Sequence, residues 1–271
     1  MKTRILVAAI GLPLLLIVLL AMPPIATAIL LAAMCLIAVH ELLVGTGICK
    51  DVPVAVVTAL MALFVCLWSS GDRNITHAVG GIWLFFLALF GLMIASHGKL
   101  PLQSVCVAAF GGLIIPLMLS ALTRILTMDF GRFYIMVPLI FAFATDSAAY
   151  FAGRFLGKHK MAPIISPHKT WEGVAGGVLG CVAIMLIYCA VMDFGFQFRV
   201  NYGYAVLYAV IGSVTCVLGD LSFSVIKRQT GIKDFGTLLP GHGGILDRFD
   251  SMVFVAPLAE VLIALLPLLR K

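Results

Sequence analysis

The sequence predicts an all-α fold, a polytopic integral membrane protein with about nine transmembrane helices. Two observations carry this. Of the 271 residues, 62% are apolar and only 11% are charged, against roughly 45–50% and about 25% in soluble domains. The apolar residues also fall into runs near the length of about 20 residues that one helical crossing needs. A chain of this length would otherwise suggest one or two soluble domains.

In order, the runs are residues 5–21, 25–39, 54–68, 78–95, 105–122, 133–151, 174–192, 204–218 and 252–269. Met22, Pro23 and Pro24 join the first two in a tight turn, and the third is short, so eight spans with a re-entrant pair is an alternative. The first run leads through Pro23 and Pro24 into another apolar run, which reads as an uncleaved first span and not as a signal peptide.

Basic residues set the expected orientation. With the N-terminus inside, 12 of the 18 Lys and Arg residues fall on the cytoplasmic side, among them Lys2, Arg4, Arg154, Lys158, Lys160, Lys169, Lys227, Arg228, Lys233 and Arg248. The net charge of +6 then favours anionic headgroups or phosphate ligands. These cations are spread through short interhelical loops, which argues against a nucleic-acid partner. The seven cysteines lie mostly in apolar runs without CxxC spacing, as expected of small core residues in a reducing setting.

The two halves differ. Seven of the 12 acidic residues lie between Asp146 and Asp250, so residues 1–130 are expected to be scaffold and 131–271 a catalytic half with its site on the cytoplasmic face. Three clusters stand out. In the first, Asp146 lies inside a predicted span that exits through Gly153, Arg154, Gly157 and Lys158. An acid at that depth costs at least about 2.5 kcal/mol on insertion scales and normally faces a partner or a wet cavity. A buried pair of Asp146 with an arginine is the alternative.

In the second cluster, Ser166 precedes a proline at what reads as a helix start, followed by His168, Lys169, Thr170, Trp171 and Glu172. Ser166 or Thr170 could cap the helix while free amides face an anion. An interfacial anchor through Trp171 and Lys169 is the competing reading.

The third cluster is Asp220 at the end of a span, followed by residues 224–250, which hold seven charges and five glycines. Asp247 and Asp250 are three apart and share a helix face. With Asp220 they would hold a hard cation such as Mg²⁺, which takes one or two carboxylates plus substrate phosphates. Gly243 and Gly244 allow close approach of backbone to phosphate.

These clusters resemble the phosphatidate cytidylyltransferases, or CDP-diglyceride synthases. Ser224, Ile226, Lys227 and Arg228, then Lys233, Asp234 and Gly236, then the run from Leu239 through His242, Gly243, Gly244, Asp247 and Arg248 to Asp250 match that signature without departure. Asp146–Arg154 and Ser166–Gly173 are similar to two upstream segments, with Ser147 where threonine is common and His168 where lysine is common. The resemblance is strong over residues 140–255.

It implies a Mg²⁺-dependent membrane enzyme that joins CTP to phosphatidic acid, giving CDP-diacylglycerol and pyrophosphate at the cytoplasmic face of the inner or plasma membrane. Asp220, Asp247 and Asp250 would hold the metal, with Asp146 in support or at a second cation. Lys227, Arg228, Arg248 and Lys233 would neutralise phosphates. His242, Gly243 and Gly244 would line them, with Ser224 alongside, while Ser166, Lys169, Thr170 and Glu172 close the site. A CTP-dependent lipid kinase and a transporter are the competing classes. A homodimer is an open expectation, since the apolar first half offers surface beyond what nine helices bury.

Overall fold

A computed structural model of the chain describes residues 2–71, 73–238 and 243–271, without the side chains of residues 2–8, 10 and 12. His242 lies outside the described residues. The long helices are α1 (Lys2–Ala21), α2 (Pro24–Gly45), α3 (Val52–Ser70), α4 (Ile75–Ala95), α5 (Leu102–Leu126), α6 (Gly131–Leu156), α7 (Trp171–Gly195), α8 (Tyr202–Gln229) and α9 (Leu246–Leu265). They follow the nine apolar runs in order. Among the described residues, α2 to α8 are long and apolar enough to cross a membrane, which makes the chain an all-α, multi-pass membrane protein.

Local chemistry sets several helix ends. Pro24 opens α2 at a position where a missing N–H costs nothing. The Asn74 side chain caps α4 by accepting from Thr76 N at 2.9 Å. α8 runs on past the apolar residues to Gln229 and so carries Asp220, Ser224 and Lys227. Among the described residues there are two short antiparallel pairs, β1 (Lys160–Ala162) with β2 (Ser166–Thr170), and β3 (Arg199–Val200) with β4 (Leu269–Arg270). The expected helix start at Ser166 is therefore corrected. Pairing of Ala162 with Ser166 and of Lys160 with Thr170 keeps the chain extended, and the helix begins at Trp171 behind a Thr170 cap.

The chain forms two units. The first comprises residues 1–127 and 227–249, the second residues 128–226 and 250–271. In the first unit, α2 and α3 pack closely enough to bring the Cys35 and Cys66 sulfurs to 3.8 Å. Gly112 lies where a Cβ would come within 2.9 Å of Thr58. Arg124 turns back to the Leu117 carbonyl at 3.1 Å.

In the second unit, α6 and α7 meet through small residues. A Cβ on Gly176 would run into Ala152, one on Gly180 into Ala148, and one on Gly177 would stand 3.1 Å from Ala149. Such a seam lets membrane helices approach closely and gain dispersion contacts. Gly219 of α8 likewise leaves room for Ser251 and Phe254 of α9, each about 3.1 Å from a Cβ built there. The Tyr134 hydroxyl donates to the Leu269 carbonyl and accepts from the Leu269 amide, fixing the chain's end in this unit.

Candidate active site

The second unit holds a cavity of about 560 Å³, within the usual range for small-molecule sites. Asp146, Tyr150, Gly153 and Arg154 reach its wall from α6. Lys160, His168, Lys169 and Thr170 come from the β1–β2 hairpin, Gly173 and Val174 from α7, and Val217 and Asp220 from α8. The seam of small residues allows this wall to form, because it brings the α6 and α7 backbones together beside the hairpin.

Asp146 is exposed, although it lies within the span Gly131–Leu156. Its carboxylate lies 3.6 Å from the Cys216 sulfur. Asp220 is held from two sides. Lys169 Nζ stands 2.6 Å from Oδ2, with the two side chains 24% and 29% exposed, and the Ser224 hydroxyl donates to Oδ1 at 3.3 Å. The Arg154 guanidinium donates to the Tyr150 hydroxyl at 2.8 Å, one helical turn away. Two acids and several cations thus share one pocket, an arrangement suited to a polyanion with or without a bound cation.

Around this cavity, two polar residues organise the backbone. Thr170 Oγ1 accepts from Gly173 N at 3.1 Å and caps α7. Glu172 accepts from the amides of Lys158 and His159 at 3.1–3.3 Å and pairs with His159 Nδ1 at 2.6 Å, so it braces the loop that leads into β1. Ser166 sits at the start of β2 and is not among the residues lining the cavity.

The first unit contains a second polar assembly, centred on Asp247. Lys227 Nζ donates to Oδ1 at 2.7 Å, and the amides of Phe235 and Gly244 donate to Oδ2 at 2.8 and 2.9 Å. The two side chains are only 10% and 2% exposed, and the ammonium also lies 5.4 Å from the centre of the Phe235 ring, a cation–π distance. Gly243 takes φ +84°, and a Cβ there would come within 2.8 Å of Asp247 Oδ2, so glycine is required both for conformation and for space. The Gly244 amide points inward to Asp247.

Glu41 completes this assembly, and sequence reasoning missed it. It is 4% exposed within the apolar α2. Its two oxygens accept from Ile245 N and Leu246 N, both at 2.9 Å, which satisfies amides at the start of α9. A Cβ on Gly236 would lie 2.5 Å from Glu41 Oε1, and one on Gly244 would collide with the same carboxylate. A lone acid in an apolar run was the available signal.

Arg228, Lys233 and Arg248 are exposed, with Arg228 donating to the Ile232 carbonyl at 3.3 Å. Asp250 is buried, and its Oδ1 accepts from Ser251 N at 2.7 Å. Asp220 and Asp250 belong to the second unit and Asp247 to the first. Among the described residues, no three His, Cys, Asp or Glu side chains are grouped so as to hold a metal between them. Arg154, Lys160 and His168, absent from the expected site, are added by the hairpin and by the turn of α6 facing it.

A sequence model of the Cytidylyltransferase family matches residues 2–266. The chain is similar to proteins named phosphatidate cytidylyltransferase from Staphylococcus haemolyticus (strain JCSC1435), Bacillus subtilis (strain 168) and Staphylococcus saprophyticus subsp. saprophyticus, at 47%, 45% and 42% identity over 137 residues. That stretch is 51% of this chain and 51%, 49% and 51% of those proteins, so the match spans about half the length of these curated relatives. With its model matched over nearly the whole sequence, the chain belongs to the cytidylyltransferase family.

Proposed function

We propose that the protein transfers CMP from CTP to phosphatidic acid, producing CDP-diacylglycerol and pyrophosphate at the cytoplasmic face of the cell membrane. The observation that carries this reading is the cavity in which Arg154, Lys160, His168 and Lys169 face Asp146 and Asp220. A nucleoside triphosphate and a lipid phosphate are both polyanionic, and such a wall can neutralise them. The similar proteins, named phosphatidate cytidylyltransferases, support the same chemistry.

The nucleophile in this reaction is a phosphate monoester, whose second pKa of about 6 leaves it largely ionised at neutral pH. No strong general base is needed. An oxygen of the lipid phosphate forms a bond to the α-phosphorus of CTP as the bond to the pyrophosphate oxygen breaks. Catalysis then rests on positioning and on neutralising charge as it shifts toward the leaving group. Arg154, Lys160 and Lys169 supply that charge from the cavity wall. Arg228, Lys233 and Arg248 are exposed in the first unit and are further candidates for phosphate contact by their charge.

Mg²⁺ fits the donor set in one mode. Asp146 and Asp220 are hard oxygen donors on the wall of a cavity that is otherwise cationic, and Mg²⁺ is commonly bound by one or two carboxylates together with substrate phosphates. When bound, the ion would neutralise phosphate charge and orient the reacting groups. Lys169 would then exchange Asp220 for a phosphate oxygen. Asp247 fits a different task. With both oxygens engaged by Lys227 and two amides, it fixes the start of α9 and the turn before it, while Asp250 remains a candidate ligand from the helix that follows.

The test is to supply purified protein in mixed micelles with phosphatidic acid, Mg²⁺ and CTP labelled at the α-phosphorus. Label recovered in the lipid fraction, with pyrophosphate released, supports the reading. Label left in CDP while a supplied lipid alcohol becomes phosphorylated would replace it with a lipid kinase.

A further inference from the structure

The loop between α6 and α7 carries a feature that the reaction does not use. Ile164, at the turn between β1 and β2, is 89% exposed, more than any other large hydrophobic side chain described. It belongs to no span, since α6 ends at Leu156 and α7 begins at Trp171. The flanking helix ends present Phe155, Leu156 and Trp171, all exposed. From residue 150 to 171 the chain contains Arg154, Lys158, Lys160 and Lys169; Arg154, Lys160 and Lys169 line the cavity and Lys169 pairs with Asp220, while the Lys158 side chain is exposed outside that wall.

A single exposed isoleucine is ordinary. An apolar tip on a loop with an exposed lysine between two membrane helices is different, because it combines the two forces that hold a segment at an anionic bilayer surface: burial of apolar side chains at the headgroup boundary and attraction of cations to the lipid charge. Long basic side chains can lie along the apolar layer with their charged ends in the headgroups. The same hairpin contributes Lys160, His168 and Lys169 to the cavity wall.

We propose that the β1–β2 hairpin is an interfacial anchor whose partner is the surface of an anionic bilayer. Ile164 inserts at the boundary between headgroups and acyl chains, and Lys158, which lies outside the cavity wall, meets anionic headgroups. The anchor holds the hairpin wall of the cavity at lipid level. The inference rests on the chain being a membrane protein and does not depend on which reaction it catalyses.

The cysteine pattern makes a direct test possible. Cys106 is exposed and the other six cysteines are buried, so Cys106→Ser combined with Ile164→Cys leaves one accessible thiol for a polarity-sensitive fluorophore. The protein is reconstituted in vesicles of phosphatidylcholine and phosphatidylglycerol, with the same label at Lys233→Cys as the water-facing reference. The expected result is blue-shifted emission at position 164, quenched by lipids bearing a nitroxide high on the acyl chain and shielded from aqueous iodide. Quenching by iodide equal to the reference, with no effect of the nitroxide lipid, would overturn the anchor. In vesicles of phosphatidylcholine alone the lipid quenching is expected to weaken, and unchanged quenching there would overturn the role of Lys158. No catalytic activity is read, so failure here is separable from failure of the proposed reaction.

Discussion

Lys169 and Asp220 form an ion pair of 2.6 Å at the cavity wall, joining the hairpin before α7 to the middle of α8. The pair is partly open to solvent, so its own contribution to stability is small, as for surface ion pairs generally. Its value lies in placing an ammonium and a carboxylate at the same spot, where either can be redirected by a polyanion or a cation. Asp220→Asn is expected to lower turnover by about 10²–10³-fold, the usual scale for losing one preorganised electrostatic group, with little change in thermal unfolding in detergent. Steady-state rates measured beside a melting curve check both halves of this expectation.

Lys227 and Asp247 should behave oppositely, because they are buried. Removing one partner of a buried pair commonly costs about 3–5 kcal/mol. Lys227→Met is expected near the lower end, since two amides still hold Asp247. Asp247→Leu should cost more, as it strands an ammonium and two amides at once. Thermal unfolding of the two variants under one detergent condition gives the order.

Glu41 is expected to matter through the helix it caps. Glu41→Ala leaves the amides of Ile245 and Leu246 without their acceptor, at about 1–3 kcal/mol for each buried group left unsatisfied. Glu41→Gln keeps one acceptor and should fall between alanine and the native residue. Gly244→Ala forces a Cβ against the Glu41 carboxylate, so its cost should shrink in the Glu41→Ala background, a coupling that a double-mutant cycle measures.

The seam between α6 and α7 makes a steric prediction. Gly176→Leu drives a side chain into Ala152, and overpacking of this kind costs about 1–3 kcal/mol. Gly91 of α4 has nothing within 4 Å of its built Cβ, and Gly91→Leu should leave the melting temperature nearly unchanged.

Hydropathy made the helices legible, since a span must be apolar over its whole length and its backbone must bond to itself. It blurred their ends. The run at residues 204–218 became Tyr202–Gln229, because the last turns of α8 hold Asp220, Ser224 and Lys227 on a helix that no longer needs to be apolar. Charge pattern brought Asp146, Lys169, Thr170 and Asp220 forward, and these line one cavity. It named Arg154 and His168 within those clusters without giving them a role in the site and used Lys160 only for orientation, because the hairpin that brings Lys160 and His168 to the wall was disguised by Pro167 as a helix start. Glu41 showed only as a lone acid among apolar residues: its partners at Ile245 and Leu246 are remote in sequence, and no local pattern gave it a role. Nor does periodicity indicate that residues 227–249 group with residues 1–127.

The most direct measurement follows the α-phosphorus of CTP in the native protein and in Asp220→Asn, with phosphatidic acid and Mg²⁺ supplied to both. Label is expected to enter the lipid fraction with one pyrophosphate released per label transferred, and Asp220→Asn is expected nearly to abolish transfer while remaining folded. Transfer at the native rate by a folded Asp220→Asn protein, or label confined to CDP in the native one, would contradict this expectation.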